Sequence, residues 1–182
     1  MSWVYQTKTS PSAQASMSQS TAENSLNAYI HGLYIAAARG RPMQAVTGAT
    51  AVAGHGLAGD RYHDAVGTFS SRAALVPGAR ALSLIDTADI ARCNDRLGRT
   101  LSGADLRRNI VVEGIDLLAW RDRRLALGEV IIRIAGRCAP CGLLSRYAGY
   151  DMRTGLYRGG GMRAVIERGG EIRIGQPLIA LD

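Results

Sequence analysis

Residues 137–142 read Arg137-Cys138-Ala139-Pro140-Cys141-Gly142. Two thiols three positions apart can ligate a soft metal, form a redox disulfide or carry sulfur, and the adjacent Arg137 favours the thiolate that each task needs. A closed structural zinc site would require two further ligands. The remaining candidates, Cys93, His31, His55 and His63, are scattered upstream without a second Cys-x-x-Cys or a paired-histidine motif, so zinc is set aside. Cys-x-Pro-Cys after a strand is also the thioredoxin-like redox pattern, but that fold carries it in a βαβ context. The segments flanking it here read as antiparallel, which leaves a thiol-disulfide role for Cys138 and Cys141 as the alternative.

Three other segments carry groups for an anion. Leu106-Arg107-Arg108-Asn109 places two guanidinium groups and an amide at the mouth of a strand, a clamp for phosphate or an oxyanion. Neighbours on an extended strand point to opposite faces, so Arg107 and Arg108 reach one ligand together only if the backbone departs from the regular pleat. From Gly54 to His63 the glycines Gly54, Gly56 and Gly59 allow positive φ and close approach to a ligand, and Asp60 and Arg61 follow at once. Between Arg153 and Arg163 a run of glycines can wrap backbone donors around an anion, but no Walker signature is present.

Composition narrows the partners. The chain has 182 residues, 47% apolar and 20% charged, with a net charge of +7, which suits one globular domain and anionic ligands. Lys8 is its only lysine, in an unpromising N-terminal stretch, so pyridoxal-phosphate chemistry on this chain is rejected. Ten aromatic side chains (seven Tyr, two Trp and one Phe), with no helix-turn-helix and no basic-aromatic stripe, argue against nucleic acid. No apolar run approaches the ~18 residues of a membrane span, and no classical secretory signal is visible. Three cysteines, too few and too clustered for a disulfide framework, point to the reducing cytoplasm.

These groups need a frame. Gln6 to Ser25 is Ser, Thr, Gln and Ala with hardly any large apolar group, so residues 1–28 are expected to form a flexible tail and residues 29–182 one domain. Strands are expected over 31–38, 49–53 and 80–85. Asp86 then caps a helix, with Asp89 at its third position, Ile85 and Ile90 at staple spacing and Gly98 at its end. Ile90, Cys93 and Leu97 fall on one face of that helix, which makes Cys93 a core residue. Further strands are expected over 109–112, 123–127, 129–135, 163–167, 171–174 and 177–181. Many short strands with glycine-bearing turns and one long helix imply a mainly β barrel with a few peripheral helices, rather than βαβ units.

Taken in order, Gly-Leu-Ala-Gly-Asp-Arg at 56–61, Ala-Leu-Ser-Leu-Ile-Asp at 81–86, Arg-Arg-Asn-Ile-Val-Val-Glu-Gly at 107–114, Cys-Ala-Pro-Cys at 138–141, the arginine- and glycine-rich segment at 153–161 and Gly-Glu-Ile-Arg-Ile-Gly at 170–175 resemble a MOSC domain. That family is named for the C-terminal domain of molybdenum-cofactor sulfurases. The resemblance spans about residues 30–182 and implies a MOSC-type β-barrel with a cleft for the molybdenum cofactor (molybdopterin). It implies that Cys141 carries sulfur or ligates molybdenum, with Cys138 as an auxiliary thiol. It also implies that Arg107, Arg108 and Asn109 lie near the cleft, Gly59, Asp60 and Arg61 in its wall, and Arg153 among the cofactor-binding groups. The chain is too short to include a pyridoxal-phosphate desulfurase domain, so the resemblance implies that it receives sulfur or cofactor from a donor protein, or acts as a small stand-alone enzyme. It also admits a molybdenum-dependent reductase of N-hydroxylated compounds, served by an electron-transfer partner.

Overall fold

A computed structural model describes residues 25–71 and 77–181. The strands are β1 (Ser25–Ile35), β2 (Gln44–Val46), β3 (Gly48–Val52), β4 (Gly56–Leu57), β5 (Leu82–Asp86), β6 (Ile110–Glu113), β7 (Arg124–Leu127), β8 (Val130–Arg137), β9 (Met162–Arg168), β10 (Gly170–Arg173) and β11 (Pro177–Ala180). The helices are α1 (Thr87–Leu97), α2 (Gly142–Ala148) and α3 (Met152–Gly155), with a 3-10 turn at Leu117–Trp120. The expected tail lies outside the described residues up to position 24. β1 begins four residues ahead of Tyr29, because Ala28 is buried and Leu26 packs against the core in step with Ile30.

Seven strands close into a ring in the order β1, β11, β7, β8, β9, β5, β6 and back to β1. The long first strand makes closure possible. Tyr29 faces Pro177 of β11, Ile30 faces Val112 of β6, and Leu33 faces Val46 of β2. β10, β3 and β4 form a separate small sheet. Along the ring strands apolar side chains recur every second residue: Leu82 and Leu84, Val130, Ile132 and Ile134, and Met162, Ala164 and Ile166 all enter one core. That interior is filled with hydrocarbon, so any ligand site must lie outside it.

The mainly β barrel expected from the sequence is present, with one departure. β5 and β6 are parallel, with Leu84 opposite Ile110, and α1 is the crossover between them, so a single βαβ unit is built into the ring. A parallel pair needs a long connection, and the capped helix supplies it. Asp86 Oδ1 accepts from the Asp89 backbone N–H at 2.8 Å and Gly98 closes α1 in the left-handed conformation. Against the barrel's outer wall α1, α2 and α3 enclose a second apolar cluster that includes Ile85, Cys93, Leu106, Val111 and Met152. Burial pushes the Cys93 thiol above its ordinary pKa, as fits a core side chain. Among the described residues no helix is long and apolar enough to cross a membrane.

Candidate functional site

The segment joining β8 to α2 carries both thiols of the Cys-x-x-Cys motif. Cys138 is 5% exposed; its N–H donates to Gly161 O at 2.9 Å and its carbonyl accepts from Arg108 Nη2 at 3.1 Å. Cys141 is the residue that opens α2, with extended backbone (φ −136°, ψ 163°). It is half-buried, packing partly against the second apolar cluster and lining a small cleft of about 80 Å³. Arg61, Arg80, Arg107, Arg108 and Arg163 line that same cleft. A thiol and five guanidinium groups from separate chain segments thus meet at one place.

Arg107 and Arg108 both reach it because the backbone is not extended there. Arg107 has φ +57°, in the left-handed region, and the turn is fixed by Arg107 N–H donating to Ala104 O and Arg108 N–H to Gly103 O, each at 3.0 Å. Arg107 Nη1 donates to Arg41 O at 2.8 Å and its guanidinium stacks over the Tyr147 ring at 4.8 Å. Burial first, and then repulsion from Arg61, hold Arg107 below the ordinary guanidinium pKa. Arg61 already has the Asp60 carboxylate against it, so an anion in the cleft would relieve Arg107 first.

Arg108 is used differently. Its Nε donates to Gly160 O (2.9 Å), Nη1 to Leu106 O (2.9 Å) and Nη2 to Cys138 O (3.1 Å). It staples the thiol segment to the glycine run and to the start of β6, and it touches the cleft only as part of the wall.

Asp60 and Asn109 are 0% and 1% exposed and do not line the cleft. Asp60 Oδ2 accepts from Ala36 N (3.0 Å), Arg61 Nη1 (3.0 Å) and Asn109 Nδ2 (3.2 Å), and Oδ1 accepts from Tyr62 N (3.1 Å). Asn109 Oδ1 in turn accepts from Ser83 Oγ at 2.8 Å. This buried network aims Arg61, whose guanidinium also lies over the Tyr62 ring at 4.9 Å. Gly59, at φ +77°, turns the chain into Asp60; it is exposed and does not line the cleft. Arg153 is exposed and lies beside Gly142, outside the cleft lining. Arg137, next to the motif in sequence, is exposed and lines a different cleft, so it is not the cation that shares a cleft with Cys141.

Arg80, Ser83, Arg163 and Tyr147 also line the cleft but were not singled out as site residues. For two of them the strand period held the signal. Ser83 of β5 is the register partner of Arg163 on β9, and each alternates with core residues, so both point outward from the barrel together. The larger neighbouring cleft, about 550 Å³, lies across the shared Cys138–Ala139 wall. It is bordered by Asp86, Asp116, Arg137 and the glycine run 159–161. That run is packed rather than open: Gly161, at φ +78°, lies so close to the Leu84 carbonyl that no side chain would fit.

The family model described as MOSC domain matches residues 60–179. No curated protein matches the chain significantly. Among solved structures, the YuaD protein from Bacillus subtilis superposes with a TM-score of 0.67 at 20% identity, over 83% of this chain and 93% of that one. YiiM from Geobacillus stearothermophilus gives 0.63 at 12% identity over 85% and 75%, and YiiM from Escherichia coli gives 0.60 at 15% identity over 85% and 68%. At such identities these likenesses speak for the fold.

Proposed function

Because this chain belongs to the MOSC domain family, we propose that the cleft around Cys141 binds the molybdenum cofactor and that Cys141 is its protein thiolate ligand or the carrier of its sulfur. One observation carries the reading: the convergence of Cys141 with Arg61, Arg80, Arg107, Arg108 and Arg163. The donor set fits the group. A soft thiolate suits a soft metal or a persulfide, and fixed guanidinium groups suit a phosphate. Among the described residues no cluster of three or more His, Cys, Asp or Glu is placed to hold a metal ion, so a metal at Cys141 would bring most of its ligands with it, as a dithiolene does. Tyr62 and Tyr147 at the cleft, each with an arginine against its ring, offer rigid apolar walls to a planar pterin.

When bound, the cofactor would supply a two-electron centre for removing an oxygen atom, or would be the acceptor of sulfane sulfur that Cys141 carries as a persulfide. The chain's own groups would do the holding: Arg107 and Arg61 neutralise the phosphate, the Asp60–Asn109–Ser83 network keeps Arg61 aimed, and Arg108 fixes the segment that presents Cys141. These 182 residues do not generate the sulfur by pyridoxal-phosphate chemistry, since Lys8 is their one lysine.

Molybdenum and pterin analysis of protein made in a cofactor-producing host tests this. Wild type should carry stoichiometric molybdenum and pterin, Arg107→Ala less, and Cys141→Ala essentially no molybdenum. Wild-type protein free of both would overturn the reading, and a reversible Cys138–Cys141 disulfide with metal-independent activity would favour thiol-disulfide exchange. With loaded protein, turnover of an N-hydroxylated purine by a reduced donor marks a reductase, and persulfide transfer from Cys141 marks a carrier.

A further inference from the structure

The thiol cleft is small and one-sided in charge. Five arginines line it together with Ser83 and Cys141, and among the described residues its lining holds no carboxylate. Two of those cations are already engaged: Asp60, behind the wall, holds Arg61, and Arg108 commits its donors to three carbonyls. Arg107 gives one N–H to the Arg41 carbonyl. Arg163, opposite Ser83 across the β5–β9 pair, has no hydrogen bond or ion pair among the described residues. At about 80 Å³ the cleft is well below the ~300 Å³ at which sites for larger ligands begin, so what fills it is an anion of a few heavy atoms or the phosphate end of a larger one. Cys141, half-buried, belongs to the same lining, so an anion held there shares the cleft with a sulfur nucleophile.

We propose that Cys141 takes its sulfur directly from a small oxyanion carrying sulfane sulfur, of the thiosulfate class, which makes the chain a sulfurtransferase in its own right. The Cys141 thiol loses its proton to solvent and the thiolate attacks the outer sulfur of thiosulfate. A sulfur–sulfur bond forms to Cys141 as that of the donor breaks, and the bonding electron pair leaves on sulfite. The products are a Cys141 persulfide and sulfite, so charge and electrons balance without an oxidant or reductant. Arg107 and Arg163 hold the sulfonate oxygens through charge-assisted hydrogen bonds and stabilise the charge that develops on the departing sulfite. A lining with surplus fixed cations and no carboxylate favours a dianionic donor over a neutral persulfide. The inference rests on the reading of Cys141 as a sulfur carrier, and it needs no bound molybdenum.

Incubation of the full chain, made in a host that lacks the cofactor, with thiosulfate tests it. Wild type should gain one sulfur atom on the Cys141 peptide with release of an equal amount of sulfite, and with cyanide as acceptor it should form thiocyanate catalytically. Cys141→Ser should do neither. Arg107→Gln and Arg163→Gln should each raise the KM for thiosulfate about tenfold or more, as the loss of a charge-assisted hydrogen bond requires. Inorganic phosphate and sulfate should compete with thiosulfate and slow the alkylation of Cys141 by iodoacetamide, whereas chloride at matched ionic strength should not; this comparison on wild type needs no variant. Absence of sulfur on Cys141 at saturating thiosulfate, or sulfur gain that ignores phosphate and both arginine substitutions, would overturn the proposal. Protein that loads molybdenum but takes no sulfur from thiosulfate would refute this inference and leave the cofactor reading standing. Sulfur gain by protein that never loads molybdenum would do the reverse.

Discussion

Asp86 caps α1 at the edge of the larger cleft. It caps α1 through Oδ1, and burial, the leading cause, raises its pKa above the ordinary 3.8. With the native value raised, the folded state holds the proton more tightly than the unfolded chain, so ionised Asp86 opposes folding. The stability tied to its proton is full below 3.8 and is lost as pH rises through the native value. Asp86→Asn, which keeps the cap and discards the charge, should therefore melt higher than wild type at neutral pH, with the gap closing as pH falls toward 3.8. A melting curve for each protein across that range checks it. The sequence disclosed the cap, because Asp86, Asp89 and Gly98 stand at fixed helical spacing. It did not disclose the cleft beside that cap, since no local pattern records that residues 114–118 and 158–162 line it together with Asp86.

At the scale of elements, the segment after β8 owes its position to Arg108. Three of its N–H groups bind carbonyls from three segments, around Leu106, Cys138 and Gly160. Lysine offers one compact charge and no fork. Arg108→Lys should leave buried carbonyls unsatisfied and cost about 2–4 kcal/mol in urea unfolding. Cys141 alkylation should also quicken as the thiol segment loosens. Here the sequence was half legible. Arg107-Arg108 stood out as adjacent guanidinium groups, and the strand alternation rightly warned that two adjacent arginines need an irregular backbone to share a cleft. The left-handed Arg107 provides it, but a non-glycine residue in that conformation has no signature in one sequence. Helix α2 also escaped notice: seven residues beginning with glycine hold too little periodicity to stand out. The parallel pairing of β5 and β6 was hidden because strand periodicity carries no direction.

For the molecule as a whole, ring closure depends on β1 being shared between β11 and β6. Ile30, fully buried, stands where the strand passes from β11 to β6. Ile30→Ala should cost about 2–5 kcal/mol in the same denaturation experiment, as a cavity at a seam between two pairings that cannot both collapse onto it. Most ring strands were legible from alternation and glycine-bearing turns. The start of β1 was not, since Leu26 and Ala28 are too sparse an apolar signal beside a run of Ser, Thr and Gln. Along β5 and β9 the hydrocarbon that fills the ring alternates with Ser83 and Arg163, which face the thiol cleft. Selection can therefore rewrite what the outer surface recognises one position at a time while the adjacent positions keep the scaffold intact, which makes this wall a place where ligand preference can diverge among descendants of a common ancestor without a change of architecture.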